Sequence, residues 1–289
     1  MSDHVLTLNA GSSSVKFALY AVEVGWPQRV AHGQVEGIGA GARFAAEARG
    51  EPHEQPVAAA DHWAAVHVVL GWIEATFPEI VVAALGHRVV HGGLNYAAPA
   101  IIDHNMLEEL KALAPLAPLH QPHSIEGIEA ARAAFPSTPQ VACFDTSFHR
   151  GHQFVNDAYA LPRDYYERGL RRFGFHGLSY EFIAHRMREI DPVLACGRVI
   201  IAHLGAGASL CAMKDGRSVA SSMGFSALEG LAMATRCGEV DPGLLLYLLD
   251  HEKLPVEELA HLLYERSGLK GLSGISGDMR VLESSDAQE

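Results

Sequence analysis

Alternating apolar and polar residues open the chain and predict strands. Val5 to Leu8 and Val15 to Tyr20 have the period of two that is typical of a β-strand. A turn rich in serine and small residues, 9–14, joins them, and two further strand candidates follow at 29–35 and 43–48. The pattern therefore predicts that a strand meander begins the fold.

Helical periodicity appears after the meander. One apolar stripe predicts a helix that ends before Pro78, and it consists of Trp63, Val66, Leu70, Ile73 and Phe77. Helices are also predicted over 103–113 and 124–135, the latter with Ser124 as its N-cap, and buried strands over 81–90 and 140–144. Strands that alternate with helices after a meander predict a mixed α/β sheet.

A second meander begins near residue 198, after a helix predicted from Ser179 as N-cap to about Ile190. Residues 202–209 repeat the order of residues 6–13: strand, turn of glycine and small residues, strand. Helices over 243–251 and 255–266 follow. We expect two sheet domains, residues 1–150 and 151–289, each of which opens with a turn suited to a phosphate and faces the other across a cleft.

Composition and charge narrow the classes of partner. With 289 residues, 48% of them hydrophobic, the chain can bury the cores of two domains. The net charge of −12 excludes a long-range attraction to nucleic acid or to an acidic membrane surface, so phosphate must be bound by local groups. Because the sequence has neither a membrane-length apolar run nor a secretory signal pattern, we expect a cytoplasmic protein.

The candidate chemistry lies at strand ends and in glycine loops. Neither the Walker pattern G-x-x-x-x-G-K-[ST] nor the dinucleotide pattern G-x-G-x-x-G is present. Each candidate has a structural alternative: Arg88 could be a strand-end charge, Asp145 a helix cap, and the histidines hydrogen-bonded core residues. An arginine between apolar residues needs an anion, which favours function at Arg88. The candidates are Arg88, His120, Asp145, His176, His203 and Arg236.

Seventeen histidines also raise a metal alternative. Three pairs have spacings found in zinc sites: His87 with His91, His120 with His123, and His149 with His152. No pair lies clearly on a predicted helix, and no H-E-x-x-H motif is present. A zinc hydrolase is therefore a minor alternative.

Seven segments occur in the order, and with the residues, of one known family. Together they resemble acetate kinases: 8–16 (LNAGSSSVK), 86–93 (GHRVVHGG), 117–120 (APLH), 144–149 (FDTSFH), 173–177 (FGFHG), 203–209 (HLGAGAS) and 235–238 (TRCG). The resemblance implies duplicated ribonuclease H-like domains of the acetate and sugar kinase, Hsc70 and actin superfamily. It also implies reversible phosphoryl transfer from ATP to acetate, with Mg²⁺ or Mn²⁺, in a homodimer.

The resemblance also implies roles for individual residues. Arg88 is expected to hold the carboxylate, and His176 and Arg236 to stabilise charge on the transferring phosphoryl group. Asp145 is the essential acidic residue, which either orients Arg236 or acts through the metal held by Asn9. The acyl pocket is expected to comprise Val90, Leu119, His120, Phe175 and Ala227. The nucleotide is expected to contact Lys16, the loop His203, Leu204, Gly205, Ala206 and Gly207, and the segment Asp278, Met279 and Arg280.

Three departures from the family pattern qualify this expectation. Ala206 stands where asparagine is usual, and Ala227 stands where proline is usual, which predicts a roomier pocket that accepts propionate better. Family members also continue through a G-G-[IV]-G-E segment and a later glutamate, so the second domain is expected to be incomplete. The alternatives are therefore a propionate-preferring kinase or a fragment that binds anions without turnover.

Overall fold

A computed structural model describes residues 3–39, 41–118 and 120–285. The chain forms two compact units, Met1–Ser147 and Phe148–Glu289, called here the first and second units. None of the helices in these described ranges has the length and apolar character that crossing a membrane requires.

The first unit contains a large mixed sheet and three α-helices in its described residues. Its strands are β1 (Asp3–Ala10), β2 (Ser14–Val22), β3 (Gln28–Glu36), β4 (Arg43–Ala48), β5 (Glu51–Pro56), β6 (Val82–Val89), β7 (Ala100–Ile101) and β8 (Gln140–Phe144). Its helices are α1 (His62–Thr76), α2 (His104–Ala112) and α3 (Gln121–Ala134).

The strand order of this sheet is β5-β4-β3-β2-β1-β6-β8-β7. Strands β1 to β5 form an antiparallel meander, whereas β1, β6 and β8 are parallel neighbours. The carboxyl ends of parallel strands meet at one edge of a sheet. The topology therefore brings the last residues of β1, β6 and β8 together.

Helix α1 covers the meander with an apolar face. Asp61 caps its first turn, because its Oδ1 accepts a hydrogen bond from the Ala64 amide at 2.8 Å. Beneath the helix, the buried ring of Phe44 stacks on Phe17 at 6.1 Å and lies 5.5 Å from Trp72. Helix α3 approaches β1 closely, since a Cβ on Gly127 would lie 2.9 Å from that of Ala10.

The second unit repeats the antiparallel start of the first on a smaller scale. Its strands β9 (Arg198–Leu204), β10 (Ala208–Lys214) and β11 (Arg217–Ser221) form a sheet in the order β11-β10-β9. Helix α6 buries Tyr180 and Ala184 against Cys211 and Met213 of β10. The helices are α4 (Phe154–Asp157), α5 (Arg163–Glu167), α6 (Gly177–Ile190), α7 (Pro192–Ala195), α8 (Pro242–Asp250), α9 (Val256–Glu265), α10 (Gly268–Ser273) and α11 (Met279–Glu283).

The predicted meanders, the helix before Pro78 and the mixed sheet are confirmed, but two predicted caps are wrong. Helix α3 begins at Gln121 because Pro122 suits a first turn, so the Ser124 hydroxyl lies inside the helix and donates to the His120 carbonyl at 3.2 Å. Helix α6 begins at Gly177, and the Ser179 hydroxyl instead contacts His203 Nδ1 at 3.0 Å. The pattern also missed β5, whose six residues are all exposed at the sheet edge.

Two glycine-to-alanine substitutions in the first unit should change stability in opposite directions. A Cβ on Gly33 in β3 would lie 2.5 Å from the Ala45 carbonyl oxygen, so Gly33→Ala should lower the free energy of unfolding by about 1–3 kcal/mol. A Cβ on Gly71 in α1 meets no described atom within 4 Å, so Gly71→Ala should raise it by about 0.5–1 kcal/mol. Urea unfolding followed by circular dichroism measures both. A Gly33→Ala protein as stable as the wild type would contradict the strand packing.

Candidate active site

Three predicted residues of the first unit meet at the edge where its parallel strands end. Asn9 lies near the end of β1, Arg88 near the end of β6, and Asp145 directly after β8. The strand register places Leu8 opposite His87 and Arg88 opposite Cys143. Adjacent parallel strands therefore deliver the three side chains to the same point.

Asp145 holds the guanidinium of Arg88. Nε of Arg88 donates to the two carboxylate oxygens at 3.1 and 3.2 Å, and Nη2 donates to Oδ2 at 2.6 Å. The Asp145 side chain is 2% exposed and that of Arg88 is 37% exposed. The nearby carboxylate raises the pKa of Arg88, so the guanidinium remains charged although it is partly buried.

The same guanidinium also contacts Asn9, because Nη1 donates to Asn9 Oδ1 at 3.3 Å. Nε, Nη2 and Nη1 each use one N–H in these contacts, and a guanidinium has five, so Arg88 retains donors for an anion. The backbone amide of Asp145 donates to the Val89 carbonyl at 3.0 Å, which fixes the carboxylate beside β6. Within the first unit, Asp145 is thus a residue that orients Arg88.

Three more of the predicted residues of the first unit, Val90, His120 and Lys16, are among those that the structure describes. Val90 is buried directly after β6, and His120 precedes the first turn of α3. Lys16 is exposed on β2 and pairs with Asn9 in the strand register. Leu119 lies outside the described residues.

His87 precedes Arg88 on β6 and projects to the opposite face of the sheet. Its side chain is buried, and its Nε2 donates to Gln140 Oε1 at 2.8 Å. Burial lowers the pKa of His87 from the ordinary 6.5 to about 4, although the hydrogen bond to Gln140 acts in the opposite direction. His87, one of the candidates for a zinc pair, is a neutral core histidine at pH 7.

In the second unit, the glycine hairpin (residues 203–209) joins β9 to β10. Leu204 pairs with Ala208, and the Gly205 amide donates to the Gly207 carbonyl at 3.1 Å. A Cβ on Gly207 would lie 3.2 Å from His176 Nε2 and 3.8 Å from Arg236 Nη1. The fold therefore brings His176, Arg236 and the hairpin together, and only a glycine leaves this space open.

Three residues hold the imidazole of His176. Its Nδ1 contacts the Ser209 hydroxyl at 2.8 Å, and its ring stacks on that of His203 with centroids 4.0 Å apart. The Tyr180 hydroxyl is also hydrogen-bonded to the Ser209 hydroxyl, and burial raises the pKa of Tyr180 to about 12, so the phenol is neutral. His176 itself has a φ of 59°, a left-handed conformation that is unusual outside glycine.

Arg236 is anchored to the segment 225–230. Its Nη1 donates to the Ala227 carbonyl at 2.9 Å, and Glu229 fixes that segment through Arg172 Nη1 at 2.6 Å and the Tyr159 hydroxyl at 2.5 Å. The departure from the family pattern at Ala227 thus lies directly beside a candidate catalytic arginine. Phe175, the other acyl-pocket residue of this unit, is buried.

A cavity of about 760 Å³ connects the hairpin with the predicted adenosine segment. The wall that the hairpin supplies consists of Leu204, Gly205, Ala206 and Ala208, and the facing wall includes Asp278, Met279 and Arg280. Asp278 caps α11, and its hydrogen bonds with Arg280 lower its pKa to about 2. Residues far apart in the sequence therefore surround one space in the second unit.

Sequence reasoning missed four supporting residues of the second unit. These residues are Tyr159, Arg172, Tyr180 and Glu229, which position His176 or the 225–230 segment. Their signal in the sequence is weak, because a single tyrosine or an Arg–Glu pair far apart in the chain has many structural explanations. Ser209 was inside a recognised motif, but its partner His176 becomes evident only in the fold.

The sheet connectivity agrees with the predicted ribonuclease H-like fold, and the family match makes the chain a phosphotransferase of that fold. A family model described as the Acetokinase family matches residues 4–289, and the chain belongs to this family.

Individual relatives of known family support the same assignment. The chain is 52% identical to an acetate kinase of Methylocella silvestris over 305 aligned positions, which cover 100% of the chain and 74% of that relative. Among solved structures, it is similar to Porphyromonas gingivalis acetate kinase (36% identity, TM-score 0.85, 98% of this chain and 72% of that one). It is also similar to a propionate kinase from Francisella tularensis (35% identity, TM-score 0.90, 97% and 72%).

The buried His87 should make stability depend on pH. Because its pKa is about 4 in the folded protein and about 6.5 when unfolded, the unfolded state binds the proton first as the pH falls. The neutral His87 therefore contributes its full stabilisation above pH 6.5, and this stabilisation is lost as the pH falls from 6.5 to about 4. Between pH 7 and about 4.5, wild type should lose about 2 kcal/mol more unfolding free energy than His87→Gln.

Urea unfolding at a series of pH values measures this difference, and His104→Gln at an exposed position is the matched control. Equal pH slopes for wild type and His87→Gln would contradict a neutral buried imidazole.

Proposed function

We propose that this chain catalyses reversible transfer of the γ-phosphoryl group of ATP to acetate, giving acetyl phosphate and ADP. One observation carries the proposal: the glycine hairpin has His176 and Arg236 beside Gly207, while its residues Leu204, Gly205, Ala206 and Ala208 line the same cavity as Asp278, Met279 and Arg280. A nucleotide bound in this cavity has its phosphates at the hairpin and its γ-phosphoryl group near two side chains able to carry positive charge.

Catalysis by these residues is mainly charge stabilisation and positioning. Two anions must approach each other in this reaction, and charge spreads over the equatorial oxygens of the transferring group. Backbone amides of the hairpin bind the nucleotide phosphates, and His176 Nε2 and Arg236 donate to the transferring phosphoryl group. Ser209 holds the opposite nitrogen of His176, so the imidazole is oriented before substrate binds.

Arg88 binds the carboxylate of the acceptor in this proposal. Asp145 and Asn9 fix the guanidinium, which leaves further N–H donors for a substrate carboxylate. The acyl-pocket assignments of Val90, Leu119 and His120 in the first unit, and of Phe175 and Ala227 in the second, stay predictions. The role proposed for Asp145 therefore differs from the two roles in the sequence analysis: Asp145 contacts Arg88 rather than Arg236, and it orients Arg88.

Mg²⁺ fits the chemistry of the donors at the sheet edge. Asn9 Oδ1 is an oxygen ligand, the type that Mg²⁺ prefers, and Mg²⁺ commonly takes only one or two protein ligands beside substrate phosphates. Asn9 would hold the ion, which neutralises phosphate charge when bound.

The cytoplasmic location and the homodimer stay predictions, as does a lack of nucleic-acid and membrane partners.

Propionate is the second candidate acceptor. Two observations favour it: Ala227 replaces a bulkier proline beside Arg236, and one similar solved structure is a propionate kinase. Small apolar differences change discrimination by only about 1–3 kcal/mol, so both acids are proposed as substrates with a modest preference between them.

Trapping of the acyl phosphate with hydroxylamine tests the proposal on the full chain with Mg-ATP and either acetate or propionate. We expect hydroxamate from both acids, and a rate about 10²–10³-fold lower for His176→Ala, because this variant loses a donor to the transition state. Phe154→Leu, at an exposed position, is the folding-matched control and should retain the wild-type rate. Wild-type product no greater than that of His176→Ala would contradict turnover and favour a chain that binds anions only.

A further inference from the structure

The first unit contains a cluster of three potential metal ligands that the proposed reaction does not use. His62 is the first residue of α1, and His123 and Glu126 lie one turn apart near the start of α3. One ligand atom from each residue lies within 4.8 Å of the other two. The residues come from two helices, so tertiary packing rather than sequence spacing forms the cluster.

The distances between the ligand atoms suit a small metal ion. Glu126 Oε2 lies 3.0 Å from His62 Nδ1 and 3.5 Å from His123 Nδ1. Tetrahedral zinc with bonds of about 2.0–2.1 Å places neighbouring ligand atoms about 3.3 Å apart. The two distances from the carboxylate oxygen are therefore close to those between ligands of one ion, and the third separation is at most 4.8 Å.

The second nitrogen of His62 has the partner expected of a metal-bound histidine. His62 Nε2 lies 2.6 Å from the Gly11 carbonyl oxygen, so it carries the proton and donates. The lone pair of a neutral ring is then on Nδ1, the nitrogen that faces Glu126 and His123. Metal-binding histidines commonly donate their other N–H to a backbone carbonyl in this way.

His123 supplies an independent indication. Its Nδ1 is buried and makes no hydrogen bond to the described residues, although it points towards the same carboxylate oxygen as His62. The two rings are stacked 4.8 Å apart. A buried ring nitrogen without a hydrogen bond is costly, and a shared cation would satisfy it.

We propose that His62 Nδ1, His123 Nδ1 and Glu126 Oε2 bind a zinc ion, with water as the fourth ligand. Glu126 is 47% exposed, which gives the ion and the water access from solvent. Two imidazole nitrogens and one carboxylate are a zinc ligand set, whereas Mg²⁺ prefers oxygen ligands alone. The bound ion links α1, α3 and, through His62, the turn between β1 and β2 that contains Gly11.

Zinc titration of the metal-free full chain, in the presence of millimolar Mg²⁺ and a chromophoric competitor, tests the site. Wild type should bind zinc at this site despite the excess of Mg²⁺, and His123→Gln and Glu126→Gln should each weaken that binding at least tenfold. His67→Gln, at an exposed position on the same helix as His62, is the matched control and should bind as wild type does. Unchanged zinc affinity in both ligand variants would overturn the proposal.

Two further measurements separate metal binding from a folding defect. Cobalt substitution should give the visible absorption of a tetrahedral site in wild type and in His67→Gln, and this absorption should be lost in Glu126→Gln. Zinc should also raise the melting temperature of wild type more than that of Glu126→Gln. Because the Glu126 side chain is about half exposed, this substitution should not disturb folding, and a smaller shift would report the loss of zinc binding. Equal zinc-induced shifts in the two proteins would place the bound ion elsewhere and overturn the assignment.

Discussion

The ion pair between Arg88 and Asp145 is the interaction on which the acceptor half of the proposed site depends. The carboxylate is almost completely buried, and burying a carboxylate is costly unless it has a charged partner and hydrogen bonds. The parallel pairing of β6 with β8 supplies that partner at a fixed distance. The architecture of the sheet and the orientation of the guanidinium are therefore linked, because a shift of one strand would break the pair.

A steric constraint has the corresponding role in the second unit. Gly207 leaves room for His176 and Arg236 against the hairpin, and Ser209, the second residue of β10, holds His176. The backbone of the hairpin thus sets both the space for a phosphate and the position of the groups that act on it. The left-handed conformation of His176 is consistent with this, since strained backbone is often found where a side chain must point in one direction.

Periodicity predicted most of the secondary structure, and the ordered motifs predicted the family. The strand alternation in 15–20 and the helical stripe ending at Phe77 were informative because one face of each element is buried. The edge strand β5 was missed because it buries neither face. The caps at Ser124 and Ser179 were misassigned because Pro122 and His176 set the helix starts, and the hydroxyl partners are tertiary. The contact of Asp145 with Arg88 could not be predicted from spacing, since the sheet register creates it.

The central claim is that Asp145 acts through Arg88, and a double-mutant cycle on turnover tests it most directly. The measurement is kcat/KM for acetate in wild type, Arg88→Gln, Asp145→Asn and the double variant, with thermal melts to confirm folding. We expect each single variant to lose about 10²-fold, and the double variant to lose little more than Arg88→Gln alone, because both changes remove the same oriented guanidinium. Losses that multiply in the double variant would contradict this account and assign Asp145 a separate role in the reaction.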